Sequence, residues 1–348
     1  MKLNFICWMS LAAGMWVTVS AAPAAYTAIY AFGDSLTDTG REPAEPLLHY
    51  DGRWSNGPLW VEYLSEWLLG GYQPEHNFAH SGAQTDDTYK QTLEFVPAND
   101  VGNALFVVWA GGNDFLQEYD EHWFDDSSWD RQIAYSVSSL ANAVVHLYDK
   151  GARFVLVPNT VDITKIPLIN PLPDFLLDYL RGKVRQFNHE LATALSQIQD
   201  TRPALTLYHF DFYTAVNSML HNASAYGFTE TETDALSDFT LLDKRFDGPG
   251  ADYVFWDPIH PTTKSHRIIA GWFQTMVYPV PSTATVRVHQ GRPELWLTGL
   301  SVGRRYQLRS TVDFVHWSNL QTIQAEDPST AVVLPNNAPY SFFIVASE

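Results

Sequence analysis

A single cysteine, Cys7, stands in 348 residues. The chain therefore forms no internal disulfide and must draw its stability from a packed core. Basic residues are scarce as well: 21 Lys+Arg face 39 Asp+Glu, a formal net charge of −18. Nucleic acid binding needs clustered Lys and Arg to neutralise phosphates, so a nucleic acid partner is excluded. Simple adsorption to anionic lipid is disfavoured on the same ground. No phosphate-cradling Gly-x-x-x-x-Gly-Lys-Ser/Thr motif occurs. The Gly-x-Ser-x-Gly turn of the α/β-hydrolases is also missing, because Thr37 occupies its last position. His76 and His80 have ligand-like spacing, yet they bracket an expected strand and lack a third ligand, so neither a metal nor a cofactor is expected.

Against these absences stands an apolar fraction of 46%, normal for a chain with a real core. The first residues read as a targeting segment. Lys2 is the only charge before Asp34, an apolar stretch runs from Phe5 to about Val19, and small residues gather at Ser20, Ala21, Ala22 and Ala24. That pattern is a secretory signal over residues 1–24, cleaved after Ala21 or Ala24. The apolar stretch is shorter than a retained anchor requires, so the mature chain has no membrane span. The expected location is outside the cytoplasm, periplasmic or extracellular.

From Ala25 to about Tyr278, short apolar runs alternate with helical periodicities. Ala28–Phe32, Ala104–Ala110, Arg153–Pro158 and Thr206–Phe210 read as buried parallel strands, each ending in polar or Gly/Pro residues. Ile133, Val137, Leu140, Val144 and Leu147 recur at steps of three and four, with Ser127 and Asp130 as a start signal and Gly151 as a stop. Leu176, Leu180, Val184, Phe187, Leu191 and Leu195 form a second stripe, and residues 262–278 a last helix. Such alternation implies a parallel sheet covered by helices on both faces, with ligands bound beyond the carboxyl ends of the strands. After Pro279 and Pro281 the helical period disappears. Short alternating segments at Thr285–Val288, Glu294–Thr298, Arg305–Ser310, Ala331–Leu334 and Ser341–Val345 predict a small antiparallel β module over residues 282–348. Tyr306, Trp317 and Phe343 are its expected core aromatics.

The loops after the strands hold the candidate chemistry. The first strand runs into Gly33-Asp34-Ser35-Leu36-Thr37-Asp38-Thr39-Gly40, which puts a serine hydroxyl at the sheet edge; an ordinary capped turn has the same composition. Far along the chain comes Trp256-Asp257-Pro258-Ile259-His260-Pro261-Thr262. A hydroxyl nucleophile needs an imidazole base, and that imidazole needs an acceptor on its other nitrogen. Pro258 and Pro261 prevent a regular helix, so Asp257 can fold back onto His260, although it can equally serve as a turn residue. Gly111-Gly112-Asn113-Asp114 and Asn77-Phe78-Ala79-His80-Ser81-Gly82-Ala83 offer N–H donors where negative charge would develop; each also suits a tight turn.

Taken together, the order and content of these blocks resemble the GDSL or SGNH hydrolases over about Ile29 to Ile269. Gly52-Arg53-Trp54-Ser55-Asn56-Gly57-Pro58 is similar to a further stretch of many members, whereas Ser81 stands where many have a second glycine. The resemblance implies a three-layer α/β/α, flavodoxin-like parallel sheet over residues 25–279. It implies Ser35 as nucleophile, His260 as base oriented by Asp257, and an oxyanion hole from Ser35, Gly82 and the Asn113 amide. The expected reaction is hydrolysis of a carboxylic ester through an acyl-enzyme. The substrate would be a small-molecule, lipid or acylated carbohydrate ester. An acyltransferase using the same residues is the alternative within that superfamily, and a surface-binding protein with a decayed hydrolase domain the alternative outside it. Trp54, Trp109 and Trp256 lie close to these blocks and either line a pocket or pack in the core.

Overall fold

The computed structural model describes residues 5–7, 26–41, 48–97, 101–278, 283–289, 292–311, 318–334 and 342–347. In chain order the strands begin with β1 (Phe5–Cys7), β2 (Ile29–Gly33), β3 (Leu105–Trp109), β4 (Phe154–Pro158), β5 (Thr206–Phe210), β6 (Glu230–Asp234) and β7 (Tyr253–Phe255). They continue with β8 (Thr283–His289), β9 (Arg292–Thr298), β10 (Arg305–Thr311), β11 (Ser318–Gln324), β12 (Ser329–Val333) and β13 (Phe342–Ser347). The helices are α1 (Trp60–Leu69), α2 (Thr85–Glu94), α3 (Gly112–His122), α4 (Asp126–Asp149), α5 (Asp174–Thr201), α6 (Phe212–His221) and α7 (Thr263–Val277). Two compact units divide the chain: Ala24–Ala223 with Phe228–Ala270, and Gly271–Glu348 with Met1–Pro23 and Ser224–Gly227.

In the larger unit β2, β3, β4 and β5 form a four-stranded parallel sheet in that order. Every residue of β2 and β3 is buried, as expected of apolar strands covered on both faces. By contrast β5 is half exposed, because it is an edge strand, and this departs from the buried strand that its composition predicts. Along the free edge of β2 the chain lays one more extended segment. Phe78 N–H donates to Ala31 O at 2.8 Å and His80 N–H to Gly33 O at 3.1 Å, around a parallel bridge between Ala31 and Asn77. A flavodoxin-like order results, with its second strand shrunk to a bridge. The stripes on α4 and α5 turn inward as their periods require, with Leu140, Val144, Val184, Phe187 and Leu191 fully buried. The start of α4 lies slightly earlier than Ser127 suggests: Asp125 caps it, its carboxylate accepting from the N–H groups of Ser127 and Ser128.

One buried carboxylate fixes where α3 begins. Asp114 accepts from Thr85 N–H at 3.0 Å, Thr85 Oγ1 at 2.7 Å, Ser136 Oγ at 2.6 Å and Gln132 Nε2 at 3.2 Å. It thereby ties the first turn of α3 to α2 and α4, and holds its neighbour Asn113 at the carboxyl end of β3.

The smaller unit is antiparallel, with sheets ordered β12-β9-β8 and β1-β13-β10-β11. Its core is aliphatic, built from Leu295, Leu297, Leu308, Ile323, Val332 and Leu334, with Tyr306 packed against it. Trp317 lies outside the described residues, as does the side chain of Phe343. Strand β11 escapes a pattern reading because Ser318–Gln324 is mostly exposed and polar and buries only Ile323. Among the described residues no helix is long and apolar enough to cross a membrane.

Replacing Asp114 by Asn presents an amide N–H to groups that are themselves donors. Such a mismatch should cost about 1–3 kcal/mol of stability. Urea unfolding checks this, and an unchanged midpoint would contradict the role given to Asp114.

Candidate active site

The turn after β2 is built by its own polar residues. Asp34 O accepts from the N–H groups of Thr37 and Asp38, both at 2.9 Å, and Asp34 Oδ1 accepts from Leu36 N–H at 3.0 Å. Gln91 of α2 grips Gly33 through both its amide groups, at 2.8 and 2.9 Å. Ser35 is thus placed at the carboxyl edge of the sheet on a turn with little freedom. Asp38 then links this turn to the loop carrying Gly82: its Oδ1 accepts from Gly40 and Arg41 N–H, and its Oδ2 from Ser81 N–H at 2.8 Å and Ser81 Oγ at 3.0 Å. Asn77 adds a second link, donating to Thr37 O at 2.7 Å and accepting Ala79 N–H at 3.1 Å.

The segment after β7 folds back on itself. Trp256 N–H donates to His260 O at 2.7 Å and Thr262 N–H to Val254 O at 2.9 Å. Asp257 Oδ1 accepts the N–H groups of Ile259 and His260, each at 2.8 Å, so the carboxylate shapes the loop. The same carboxylate receives the imidazole: His260 Nδ1 lies 2.8 Å from Oδ2 and 2.9 Å from Oδ1. The other ring nitrogen, Nε2, lies 2.8 Å from Ser35 Oγ. A hydroxyl, an imidazole and a carboxylate are therefore joined in one hydrogen-bonded line across residues far apart in the chain. All three residues are buried.

The stretch 52–58 anchors this loop. Ser55 Oγ donates to Pro261 O at 3.0 Å, Asn56 Oδ1 accepts Thr263 N–H at 2.9 Å, and Thr263 Oγ1 donates to Pro58 O at 2.6 Å. Gly57 is required here by close approach, since a Cβ at that position would lie 2.7 Å from Thr263 Cγ2. Trp54 packs its indole against the His260 ring, centroids 5.1 Å apart. Trp109 and Trp256 are core residues, 3% and 5% exposed.

Gly82 is exposed, with φ of +78°, a left-handed turn conformation that suits glycine. Among the described residues the N–H groups of Ser35 and Gly82 donate to no backbone acceptor. Asn113 sits in the first turn of α3, and its Nδ2 donates to Ala83 O at 3.0 Å, which joins α3 to the Gly82 loop. Of the residues expected from the sequence, Ser35, His260 and Asp257 are brought together in one hydrogen-bonded line, while Asn113 is joined to the loop that carries Gly82. The sequence reading missed the supporting groups Gln91, Asp38, Asp114 and Thr263, whose partners are distant in sequence. It also missed His49, a lone histidine between Leu48 and Tyr50 with no local signal. Its Nε2 lies 3.5 Å from Asp257 Oδ2.

Electrostatics follow the burial. For Asp257, burial works against the charge, but the hydrogen bond from His260 and the nearby His49 imidazole outweigh it and hold the carboxyl well below the usual carboxylate range. Asp34 goes the other way: burial pushes it up to about 6, against the Leu36 N–H and the charge of His260. His266 is buried so completely that it is pushed down to about 3 and stays neutral. Among the described residues no cluster of three or more His, Cys, Asp or Glu side chains is arranged to hold a metal ion.

A parallel α/β sheet thus carries a hydroxyl, an imidazole and a carboxylate in line at its carboxyl edge, the arrangement of a hydrolase site. The chain belongs to the GDSL-like Lipase/Acylhydrolase family, whose model matches residues 29–273. It is similar to the Thermolabile hemolysin of Vibrio parahaemolyticus, 27% identical over 70% of this chain and 62% of that one, so it spans less than two thirds of that relative. It is also similar to a GDSL esterase/lipase of Arabidopsis thaliana, 22% identical over 71% of this chain and 79% of that one. Among solved structures, an acetylxylan esterase from Geobacillus stearothermophilus aligns at 17% identity with a TM-score of 0.43, covering 72% of this chain and 93% of that one.

The raised Asp34 carboxyl makes stability depend on pH. A carboxyl that is harder to ionise in the folded state penalises folding as it ionises, so stability falls as pH rises from about 4 through 6. Asp34→Asn keeps the acceptor for Leu36 N–H and removes the titration. The variant should gain on the wild type between pH 4 and 7 by about 2 kcal/mol. Urea unfolding at both pH values measures it, and a pH-independent difference would refute it.

Proposed function

We propose that the chain hydrolyses carboxylic esters with Ser35 as nucleophile, through a covalent acyl-enzyme. His260 Nε2 takes the Ser35 proton as Oγ attacks the ester carbonyl, and Asp257 holds the imidazole in the tautomer with its proton on Nδ1. The negative charge that forms on the carbonyl oxygen is received by the N–H groups of Ser35 and Gly82 and the second amide N–H of Asn113. His260 then gives its proton to the leaving alcohol. Water repeats the cycle: it loses a proton to His260, attacks the acyl carbon, and the proton returns to Ser35 as the acid departs. The observation that carries this reading is the Ser35 Oγ to His260 Nε2 distance of 2.8 Å, continued through Nδ1 to Asp257.

The relatives' names supply two substrate directions, lipid esters and acetylated xylan. A chain-length series of aryl esters, run beside acetylated oligosaccharides and phospholipids, separates them. We further propose that residues 1–24 are a secretory signal, on the strength of Lys2, the apolar stretch and the small residues at 20–24. The exported protein should then begin after Ala21 or Ala24, and an intact amino terminus on exported material by mass spectrometry would reject this.

A serine-directed phosphonate should label the wild type at one site, Ser35, and leave Ser35→Ala unlabelled and reduced at least roughly 10³-fold in kcat/KM. Asn113→Ala should lower kcat about 10²-fold with little change in KM, as loss of a donor used only in the transition state does. A fully active Ser35→Ala protein would overturn the assignment.

A further inference from the structure

We propose that His49 is a positioning residue for the reaction, a second imidazole that meets the Asp257 carboxylate at the oxygen His260 uses. The inference rests on the triad reading above and deepens it. Asp257 Oδ1 is held by two backbone N–H groups of its own loop, whereas Oδ2 has no backbone donor in that loop. Oδ2 is met by His260 Nδ1 at 2.8 Å and by His49 Nε2 at 3.5 Å. The two imidazoles thus converge on one oxygen. Rotation of the carboxylate about its Cβ–Cγ bond would move both oxygens off His260 Nδ1, which Oδ1 also meets at 2.9 Å, and the His49 contact at Oδ2 opposes that rotation.

His49 has few alternative positions. Its side chain is 5% exposed. Its ring centroid lies 4.8 Å from that of Trp54 and 6.4 Å from that of Trp256, both roughly edge-on. Because the Trp54 indole also covers the His260 ring, one aromatic side chain holds both imidazoles at the carboxylate. At 3.5 Å the His49 contact is longer than a hydrogen bond, a weak electrostatic contact with a carboxylate that is ionised throughout. Its part is to keep that carboxylate aligned with the His260 ring while the imidazole takes the Ser35 proton, so its loss should appear in kcat.

The experiment compares His49→Phe, which keeps a ring without its N–H, and His49→Gln, whose amide N–H reaches about as far as Nε2. His49→Asn, too short to reach Asp257, stands in for the Phe variant if that fails to fold. Each is assayed on an aryl ester in the full-length protein, alone and combined with Asp257→Asn. The expected result is a drop in kcat of about tenfold or more for Phe (or Asn), at unchanged KM, with Gln within about threefold of the wild type. In the Asp257→Asn background the His49 change should add less than about twofold. Equal losses with and without Asp257 would mean that His49 only packs, and wild-type kcat in His49→Phe would mean that it does nothing; either result overturns the proposal. Phosphonate labelling of Ser35 is read separately, so failure of the nucleophile assignment is distinguishable from failure here.

Discussion

Asp257 is a charged group removed from water, and a buried carboxylate is tolerable only when donors surround it. The donors that satisfy it are the elements the chemistry needs. Its Oδ1 accepts from the backbone of Ile259 and His260, which bends the chain after β7 into a tight return. Both oxygens accept from His260 Nδ1, which aims Nε2 at Ser35. Local loop shape and imidazole orientation therefore arise from one requirement, and neither can be changed without the other.

The remaining structure brings that loop to the right place. The sheet edge supplies Ser35, and Gln91 and Asp38 clamp its turn to α2 and to the Gly82 loop. Residues 55–58 reach across to hold Pro261 and Thr263. Asp114 fixes the start of α3 and so the position of Asn113. Most of these supports are short polar side chains bonded to backbone or hydroxyl groups on another element. Buried polar groups of this kind permit one arrangement, where apolar packing alone would permit several. The two carboxylates beside the site illustrate how environment sets charge. Asp257, rich in donors, stays ionised, while Asp34, with less compensation for its burial, is pushed up to about 6.

Much of this was legible in the residues. The periods on α4 and α5 declared their buried faces, and continuous apolar runs announced β2, β3 and β4. Asp257 and His260 are close enough in sequence that a loop bounded by prolines allows their pairing, and the fold realises it. The supports were not legible, because Asp38 to Ser81, Asn56 to Thr263 and Asp114 to Ser136 are pairs distant along the chain with no local signature. His49 belongs with them. In the smaller unit β11 was missed for a different reason: a strand that leaves most of its length to solvent carries no apolar alternation to read.

By itself, the sequence determined the periodicities, the turn residues and the side chains available at the ends of the strands, since these depend on near neighbours and on side-chain chemistry. Tertiary structure alone decided that Ser35 and His260 stand 2.8 Å apart, and that His49 shares Asp257 with His260. Distances of that kind depend on how helices and strands pack, and packing is a property of the whole folded core that no local stretch of residues encodes.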